Sequence, residues 1–364
     1  KVLDAMYLEF ITKQSHENSE ETQKSTPKRT LLNGVPRWQL LLVVGVVCFL
    51  AVAVGAFFLL PNQPPNYTAQ EPQTKSLNET GVSTRDREIL MTVFNGLNGF
   101  AWEKKNNWGT EISHCEWIGI MCTNGRVTKI YLMHNNLTGT LPDEISELDQ
   151  LEWLNLGSNN LQGTIPISLY YLTKLQGIEL SNNKMLTGTI SPAIKGATAL
   201  SWLDLSGCDL RGTIPPVLLE HQGPGDINLS SNALVGTIPS TSTSNVLITL
   251  DLSYNKLTGT VPYLKVFAEV NLSHNYLSGD LSKIRYARLE VLDVSHNNLD
   301  GEFYLFEGAL ERLKRLDISH NKFNAASAMM NSSNFTAPIC DASSNKFECP
   351  LPSWLTKQCN AVCH

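Results

Sequence analysis

Apolar and polar residues follow one repeated pattern along most of this chain. In the stretch 151–166, LEWLNLGSNNLQGTIP, leucines at fixed offsets surround an asparagine, Asn159. The same position in successive units is held by Asn135, Asn159, Asn183, Cys208, Asn232, Asn255, Asn275, Asn297, Asn321 and Asn345. Neighbouring units are 20 to 25 residues apart. A period of this length indicates one elongated domain of stacked units rather than a single large core.

Each unit predicts a short strand. Leu154 and Leu156 alternate with Asn155, so the leucines point inward and the residue between them points outward. The following asparagine is expected to be buried and to hydrogen-bond backbone groups of adjoining coils. Cys208 should be a buried free thiol in the same position. The fold class is therefore α/β, a leucine-rich repeat solenoid with a curved parallel sheet and a convex side of short 3-10 or irregular segments.

The residues before the repeats predict a helical cap. Thr84 is expected to N-cap a helix with Asp86 in its first turn, where a negative charge is favourable. One face of that helix is apolar and consists of Ile89, Leu90, Val93, Phe94 and Leu97. We expect this face to cover the first coil, because a bare solenoid end would expose its core.

Two motifs resemble one protein family. The segment 115–122, CEWIGIMC, preceded by Trp108, resembles the N-terminal cap of plant-type leucine-rich repeat proteins. Tails such as 163–166, GTIP, resemble the plant-specific half of that repeat. The resemblance implies the extracellular part of a receptor-like kinase, a receptor-like protein or a polygalacturonase-inhibiting protein. In these proteins the inner, strand-bearing face binds peptides, small molecules or other proteins.

The N-terminal residues predict a membrane anchor. Residues 40–60 contain no charged side chain, and a helix of that length spans the roughly 30 Å hydrocarbon core. We expect a disordered cytoplasmic tail at 1–38, a transmembrane helix at 39–60 that contacts the lipid bilayer, and an extracellular stalk at 61–83. Basic residues gather before the span, which places the N-terminus in the cytoplasm. A cleaved signal peptide is the alternative, although its apolar region is usually only about 7 to 15 residues long.

The order of these segments differs from that of land-plant receptors, which place the repeats before the span and any kinase after it. An N-terminal anchor followed by plant-type repeats resembles membrane proteins of diatoms and related algae. Residues 1–38 contain no glycine-rich phosphate loop, HRD-type segment or DFG, so we expect no catalytic domain and no enzyme activity. The expected location is the plasma membrane or another secretory-pathway membrane, with a single span and the repeats outside or luminal.

Asn-x-Ser/Thr sequons support that orientation, because they all follow the apolar run. The candidate glycosylation sites are Asn66, Asn78, Asn136, Asn228, Asn271, Asn331 and Asn334. Sequons accept glycans in the secretory pathway, which is an oxidising compartment. The clustered cysteines are therefore interpreted as disulfides rather than as zinc ligands.

The cysteines lie at both ends of the repeats. Cys115 and Cys122 fall in the N-terminal cap, 84–126, and precede repeats that we place at 127–345. The remaining segment, 346–364, resembles a C-terminal cap, and the cysteines at this end are Cys340, Cys349, Cys359 and Cys363. Four cysteines allow three pairings. We favour Cys349 with Cys359, which leaves the other two unassigned.

The outward strand residues define a column that a ligand could contact. Its members are Tyr131, Asn155, Glu179, Asp204, Asn228, Asp251, Asn271, Asp293, Asp317 and Asp341. Carboxylates spaced at about 5 Å along a sheet would attract a basic peptide or a divalent cation. However, LDLS is a common strand sequence in this type of repeat, and solvated surface carboxylates are the simpler interpretation.

Two tryptophans, Trp153 and Trp202, stand just before a strand leucine and are predicted to contact a ligand. The candidate ligand-binding residues are Tyr131, Glu152, Trp153, Asn155, Glu179, Trp202 and Asp204. Glycans at both Asn228 and Asn271 would obstruct the middle of the concave face. A ligand should then engage the early repeats.

Histidines recur in one register two residues past the second strand leucine, at His134, His274, His296 and His320. Neighbouring imidazoles could bind a metal or respond to pH. No carboxylate or thiolate of suitable spacing completes a metal site, so we predict no metal and no cofactor. The net charge is −6 and no basic face is present, which argues against nucleic-acid binding.

The sequence thus predicts a membrane-anchored extracellular recognition protein. Its partners would be a protein, peptide or glycan ligand and a co-receptor. The alternative is a secreted cell-wall or inhibitor-like protein with a structural or enzyme-inhibiting role. An enzyme is disfavoured because no paired catalytic carboxylates, nucleophile elbow or phosphate loop can be named.

Overall fold

A computed structural model describes residues 81–219, 224–240, 247–285, 289–303, 313–326 and 339–363. All of them belong to a compact unit that begins at Glu71. The predicted tail, the predicted span and the sequons at Asn66, Asn78, Asn331 and Asn334 lie outside the described residues. Within those residues, no helix combines the length and apolar character needed to cross a membrane.

The described helices and strands follow the repeat pattern. The α-helices are α1 (Thr84–Gly96) and α2 (Ser353–Gln358). The strands are β1 (Ile120–Thr123), β2 (Arg126–Tyr131), β3 (Thr138–Thr140), β4 (Trp153–Asn155), β5 (Asn160–Thr164), β6 (Gly177–Glu179), β7 (Met185–Thr189), β8 (Trp202–Asp204), β9 (Asp209–Gly212), β10 (Asp226–Asn228), β11 (Ala233–Gly236), β12 (Leu247–Asp251), β13 (Lys256–Thr260), β14 (Leu264–Asn271), β15 (Tyr276–Gly279), β16 (Ile284–Arg285), β17 (Val291–Asp293), β18 (Asn298–Phe303), β19 (Arg315–Asp317), β20 (Lys322–Ala326) and β21 (Ile339–Asp341). Short 3-10 helices cover Gly99–Ala101, His114–Glu116, Asp143–Glu147, Ile167–Tyr171, Pro192–Gly196 and Pro216–Leu218.

One strand from each repeat joins the main sheet. Its order is β1-β2-β4-β6-β8-β10-β12-β14-β17-β19-β21, with β16 beside β14. All neighbours are parallel except β1 and β2, because β1 belongs to the cap. The register pairs Tyr131 with Asn155, Asn155 with Glu179, and so on to Asp341. The predicted outward column is therefore confirmed, and we call this side of the main sheet the strand face.

A second sheet was not predicted. The Gly-Thr tails and the residues before them form nine parallel strands in the order β20-β18-β15-β13-β11-β9-β7-β5-β3. The expected 3-10 helices are present after four early tails, from Asp143 to Leu218. The opposite side of the coils is thus more regular than the irregular convex segments that the sequence indicated.

The space between the sheets is filled by the repeated leucines. Leu154, Leu156 and Leu161 have no exposed surface, and their equivalents in other repeats are also buried. Each repeat contributes only a few apolar side chains, so the core becomes continuous only when neighbouring coils stack.

The buried asparagines form the predicted ladder. The Asn159 Oδ1 atom accepts hydrogen bonds from the backbone N–H groups of Asn135 and Leu137, at 2.9 and 3.0 Å. Its Nδ2 group donates to the carbonyls of Leu132, Leu156 and Gly157. The side chain therefore hydrogen-bonds backbone groups of two adjoining coils and satisfies the N–H groups of Asn135 and Leu137 in the turn.

Cys208 interrupts this ladder. It is a free, half-buried cysteine, as predicted apart from its partial exposure. Its thiol donates to the carbonyls of Leu180 and Ser206 but supplies no amide oxygen. An asparagine at position 208 would accept a hydrogen bond from the N–H of Leu186 through its Oδ1 atom. Here that N–H donates instead to the carbonyl of Asn183 at 2.9 Å. This local rearrangement explains why a cysteine is tolerated here.

The N-terminal cap is tied to the first coil by a buried carboxylate. The N-cap of α1 is Ser83, not Thr84 as predicted, and the Ser83 Oγ atom accepts from the N–H of Asp86. Asp86 is fully buried. It forms an ion pair with Arg126 at 2.9 Å and accepts a hydrogen bond from the N–H of Val127. The predicted apolar face of α1 is buried in full.

Disulfides close both caps. Cys115 pairs with Cys122, as the candidate assignment has it. At the other end, Cys340 pairs with Cys359, and Cys349 pairs with Cys363. The favoured pairing of Cys349 with Cys359 is wrong. Cys340 lies in the last strand, where its inward side chain meets Cys359 directly after α2, and that contact could not be derived from spacing.

Candidate functional site

The strand face of the early repeats gathers the predicted ligand-binding residues. Trp153 and Trp202 occupy the same outward position on β4 and β8, with Gly177 of β6 between them in register. Both tryptophans are half-buried. The structure therefore places the two indoles on one surface, three strands wide.

Gly177 explains how the Trp153 ring is accommodated. A Cβ atom at this position would lie 2.5 Å from Cδ2 and Cε3 of Trp153. The indole therefore lies flat over the glycine and covers the strand that separates the two tryptophans. The glycine is needed for this close approach and not for its backbone angle, because its φ is not positive. The sequence analysis missed Gly177.

The carboxylates of the outward column are held by local hydrogen bonds. The Asp204 Oδ1 atom accepts from the N–H of Ser206, and Asp251 accepts from both the N–H and the hydroxyl of Ser253. Burial raises the pKa of the Asp204 carboxyl. These side chains brace the turn after each strand, which supports the simpler interpretation of the acidic column. They still present negative charge beside the tryptophans.

The remaining candidates lie at the edges of this surface. Tyr131 is half-buried, and its phenol pKa is raised by burial and by the charge of Glu152. Asn155, in contrast, is buried, and its Oδ1 accepts from the N–H of Gly157. Asn155 is therefore a turn-bracing residue that offers a ligand little surface. Glu152 and Glu179 are half-buried.

The sequons of the strand face are sterically restricted. Asn228 and Asn271 are half-buried, and their amide nitrogens donate to Asp204 and Asp251 at 3.4 Å. Asn136, near the N-terminal cap, is exposed. A glycan at either strand-face position would require the amide to leave its carboxylate partner. The occupancy of these sites stays a prediction.

The histidine register brings three imidazoles and a phenol into contact. Tyr254, His274, His296 and His320 occupy the same position in consecutive repeats, and their rings are stacked with centroids 4.1 to 4.2 Å apart. His134 has the same register in the first repeat, but the next repeat offers Ser158. The sequence predicted the shared register, whereas the stacking and the participation of Tyr254 were missed.

Among the described residues, one cluster combines metal-ligating side chains, namely His114, Cys115 and Cys122. The two sulfur atoms form a disulfide, so they are not available as thiolates. His114 is buried, and burial lowers its pKa. This cluster therefore packs the cap, with Trp117 beside it at a ring distance of 6.3 Å.

The second sheet carries a regular column of threonines. Six consecutive repeats expose the threonine that follows each tail glycine: Thr140, Thr164, Thr189, Thr213, Thr237 and Thr260. Each methyl group packs against the tail glycine of the next repeat. For example, the Thr164 methyl is 2.8 Å from the position that a Cβ on Gly188 would take. Adjacent strands of a sheet lie about 4.8 Å apart, so the hydroxyls form an evenly spaced row.

Comparisons with known families identify the repeat. The family described as "Leucine rich repeat" matches residues 125–185, and a second family of the same description matches 199–220 and 246–264. Receptor-like kinase TMK4 of Arabidopsis thaliana is 39% identical over 51 residues. This match covers 14% of the chain and only 6% of the length of the kinase.

Two solved structures share the architecture over longer stretches. A plant ice-binding protein is 25% identical with a TM-score of 0.56, and the match covers 75% of this chain and 98% of that protein. The plant peptide hormone receptor RGFR1, solved in complex with RGF2, is 27% identical with a TM-score of 0.52. That match covers 60% of this chain and 40% of the receptor chain.

Proposed function

We propose that the strand face of this chain recognises an extracellular ligand, because its repeats match the leucine-rich repeat family and resemble parts of a plant receptor-like kinase and of a plant peptide hormone receptor. The observation that supports this most directly is the surface around Trp153, Gly177 and Trp202. Half-exposed tryptophans with a rigid neighbour are typical anchors of protein interfaces, because they bury large area at low entropic cost.

The proposed ligand is a peptide with basic or aromatic side chains. The indoles offer aromatic faces, which attract cations and other rings. Glu179 and Asp204 lie beside them on β6 and β8 and add negative charge. A peptide that runs across these strands could stack on Trp153 and Trp202 and pair with the carboxylates. RGFR1 was itself solved with a peptide hormone, which favours a peptide over a glycan.

The test is a binding screen of secreted peptides against the full chain. Trp153→Ala and Trp202→Ala should each weaken binding of a peptide hit by more than about 1 kcal/mol. Ile339→Ala is the matched control, since Ile339 is an exposed apolar residue of the same outward register on the last strand. Equal affinity of both tryptophan variants and the wild type would contradict the proposed surface.

We also propose that residues 39–60 anchor the protein in a membrane with the repeats outside. A co-receptor is the partner that we propose for signalling across this membrane. Membrane fractionation and N-terminal sequencing of the mature protein test the anchor. A mature protein that begins after Leu60 and stays soluble would support the secreted, inhibitor-like alternative instead.

A second candidate function is binding to ice. The threonine column places exposed hydroxyl groups in one row, and each threonine methyl packs against the tail glycine of the next repeat. Such a row suits a partner that is itself periodic, because a regular surface can meet every repeat at once. The similarity to a plant ice-binding protein over almost its full length favours ice as that partner.

Ice binding is tested by following the growth of ice crystals in the presence of the full chain. Inhibition of recrystallisation at micromolar protein is the expected result. Thr164→Lys together with Thr189→Lys should abolish it by breaking the row, whereas Thr249→Lys on the strand face should not. Unchanged crystal growth with the wild type would exclude this function and leave peptide recognition untouched.

A further inference from the structure

The aromatic column formed by Tyr254, His274, His296 and His320 is named here the ring ladder. Its successive ring centroids lie 4.1, 4.2 and 4.1 Å apart, and the planes differ by 14°, 12° and 16°. These separations are shorter than the roughly 4.7 to 4.9 Å between neighbouring strands. The rings therefore lean together into van der Waals contact across four consecutive repeats.

The backbone at these positions is unusual for large side chains. Tyr254, His274, His296 and His320 all have φ of 54°, in the left-handed region. Bulky residues adopt this region at a cost, and they persist there only where the surroundings compensate. The first repeat also has a histidine here, His134, whereas the next four repeats have small or amide residues: Ser158, Asn182, Gly207 and Ser231.

The backbone of the ladder is locked from coil to coil. The N–H of His274 donates to the carbonyl of Ser295, and the N–H of His296 donates to that of Ser319, both at 3.0 Å. The rings are thus held above one another by the repeat itself. Any change in their mutual attraction acts directly between adjacent coils.

We propose that the ring ladder is a proton-sensitive clamp between the repeats that carry Tyr254, His274, His296 and His320. Neutral imidazoles stack and hold the coils together. Imidazolium ions at the same spacing repel one another, because unit charges about 4 Å apart lie well inside the Debye length of about 8 Å. Acidification would therefore loosen this part of the solenoid and change its strand face.

Charged groups around the ladder moderate this repulsion without removing it. The carboxylates in the neighbouring outward column are Asp251, Asp293, Asp317 and Asp341. Those of Asp293 and Asp317 are shared with Arg315, whose Nη2 atom lies 3.0 and 3.9 Å from them. Each also accepts hydrogen bonds from the serine two residues further on. Lys256 and Lys322, exposed on the strands after the ladder turns, add positive charge.

The central imidazole is the most constrained. The pKa of His296 is lowered by burial and by the neighbouring His274 and His320, while Asp317 and Asp293 act in the opposite direction. A lowered folded-state pKa means that the unfolded chain takes up the proton first. Stability is therefore complete above the ordinary value of 6.5 and is lost as the pH falls below it.

Metal binding is the competing use of stacked imidazoles. A zinc ion requires ring nitrogens about 2.0 to 2.1 Å from the metal, converging from different directions. Parallel rings more than 4 Å apart point their nitrogens side by side instead of toward one centre. Addition of zinc at pH 7.5 should therefore leave the NMR resonances of the ring-ladder histidines unchanged.

The direct test is an NMR titration of the histidine rings in the full chain. The double variant His274→Asn/His320→Asn removes both ring neighbours of His296. His296 should titrate at higher pH in this variant than in the wild type, because the neighbouring imidazoles lower its pKa. Asparagine suits the test because Asn182 already occupies this position with φ of 55°. Coinciding titrations of His296 in the wild type and the double variant would overturn the proposal.

Hydrogen exchange then shows whether the coils loosen. After correction for intrinsic rates, amides of the turns at 252–260 and 272–280 should exchange faster at pH 5.0 than at pH 7.5, because protonation of the ladder imidazoles weakens the contact between these coils. Amides at 151–166 serve as the internal control. Replacing all three ladder histidines by asparagine should remove the difference, and a pH effect that survives this replacement would contradict the clamp. Neither measurement needs a ligand, so the peptide proposal is judged separately.

Discussion

The early and late repeats share one strand framework but use the turn after each strand differently. Between 127 and 219, small or amide residues mostly fill the left-handed turn position, and the aromatic surface lies on the strands at Trp153 and Trp202. Between 247 and 326, aromatic rings fill the turn and stack on one another. The aromatic residues of the first half thus lie on the strands, whereas those of the second half lie in the turns and stack on one another.

The opposite side of the coils differs in the same way. Each early tail from 139 to 215 is followed by a 3-10 helix. In the described residues of the later repeats, up to 326, the secondary structure consists of strands, and the repeat length falls to 20 and 22 residues around Asn275 and Asn297. The shorter coils retain the inward strand leucines, such as Leu272 and Leu292. The early coils add core side chains from their 3-10 helices, such as Ile145, Leu169 and Ile194.

The largest expected effect concerns the ladder of buried asparagines, which both halves share. Asn159→Ala removes an amide that satisfies two N–H groups and three carbonyls. We expect a loss of about 4 kcal/mol in the free energy of unfolding, because the N–H groups of Asn135 and Leu137 lose their acceptor. Cys208→Ala, at the equivalent position of its repeat, should lower the free energy of unfolding by only about 1 kcal/mol. Urea denaturation of the two variants compares them, and equal losses would show that the amide is not what holds the coils.

The next effect tests the cap that protects the early half. Asp86→Ala leaves Arg126 partly buried beside the first strand with Asp149 as its remaining carboxylate. We expect the free energy of unfolding to fall by about 3 kcal/mol, since removing one partner of a buried ion pair leaves the other charge poorly compensated. Asp209→Ala breaks the exposed pair with Arg211 and should change the stability far less, because water screens this pair. Thermal unfolding of the two variants compares these losses. If Asp86→Ala lowers the stability only slightly, apolar packing alone holds α1 against the first coil.

A smaller change should disable the early strand face without unfolding it. Gly177→Ala places a methyl group into the Trp153 ring, so the indole must move. We expect a stability loss of about 1 to 2 kcal/mol from overpacking and weaker binding of a peptide hit. Gly225→Ala is the control, because its Cβ would meet Ile248 at an ordinary 3.5 Å. Unchanged binding by Gly177→Ala would remove Trp153 from the proposed surface.

The smallest expected effect is a pH dependence of the N-terminal cap. His114 is buried, and burial lowers its pKa, so the cap should be fully stable above the ordinary value of 6.5 and weaken as the pH falls below it. Hydrogen exchange of residues 84–126 between pH 7.5 and 5.0 measures this change. His114→Phe should make the cap insensitive over that range. This response is located apart from that of the ring ladder, so both can be followed in one experiment.

The features that the sequence predicted well depend on repetition. The offset of the leucines from Asn159 defines which side chains point inward, and the parallel register then places Tyr131 to Asp341 in one column. The features that it missed depend on contacts between repeats. Gly177 carries no signal except the absence of a side chain, and its role emerges only when the Trp153 ring from the preceding repeat lies over it.

The sequence by itself therefore determined the solenoid, its buried asparagine ladder, the helical cap and the residues of the strand face, because a period of 20 to 25 residues dictates what every coil must bury. Only the tertiary structure decided the pairing of Cys340 with Cys359, the second sheet with its threonine row, and the stacking of Tyr254 with three histidines. These features arise from distances between side chains of different coils. A linear spacing can place two residues in one register, but their contact depends on how closely the coils stack.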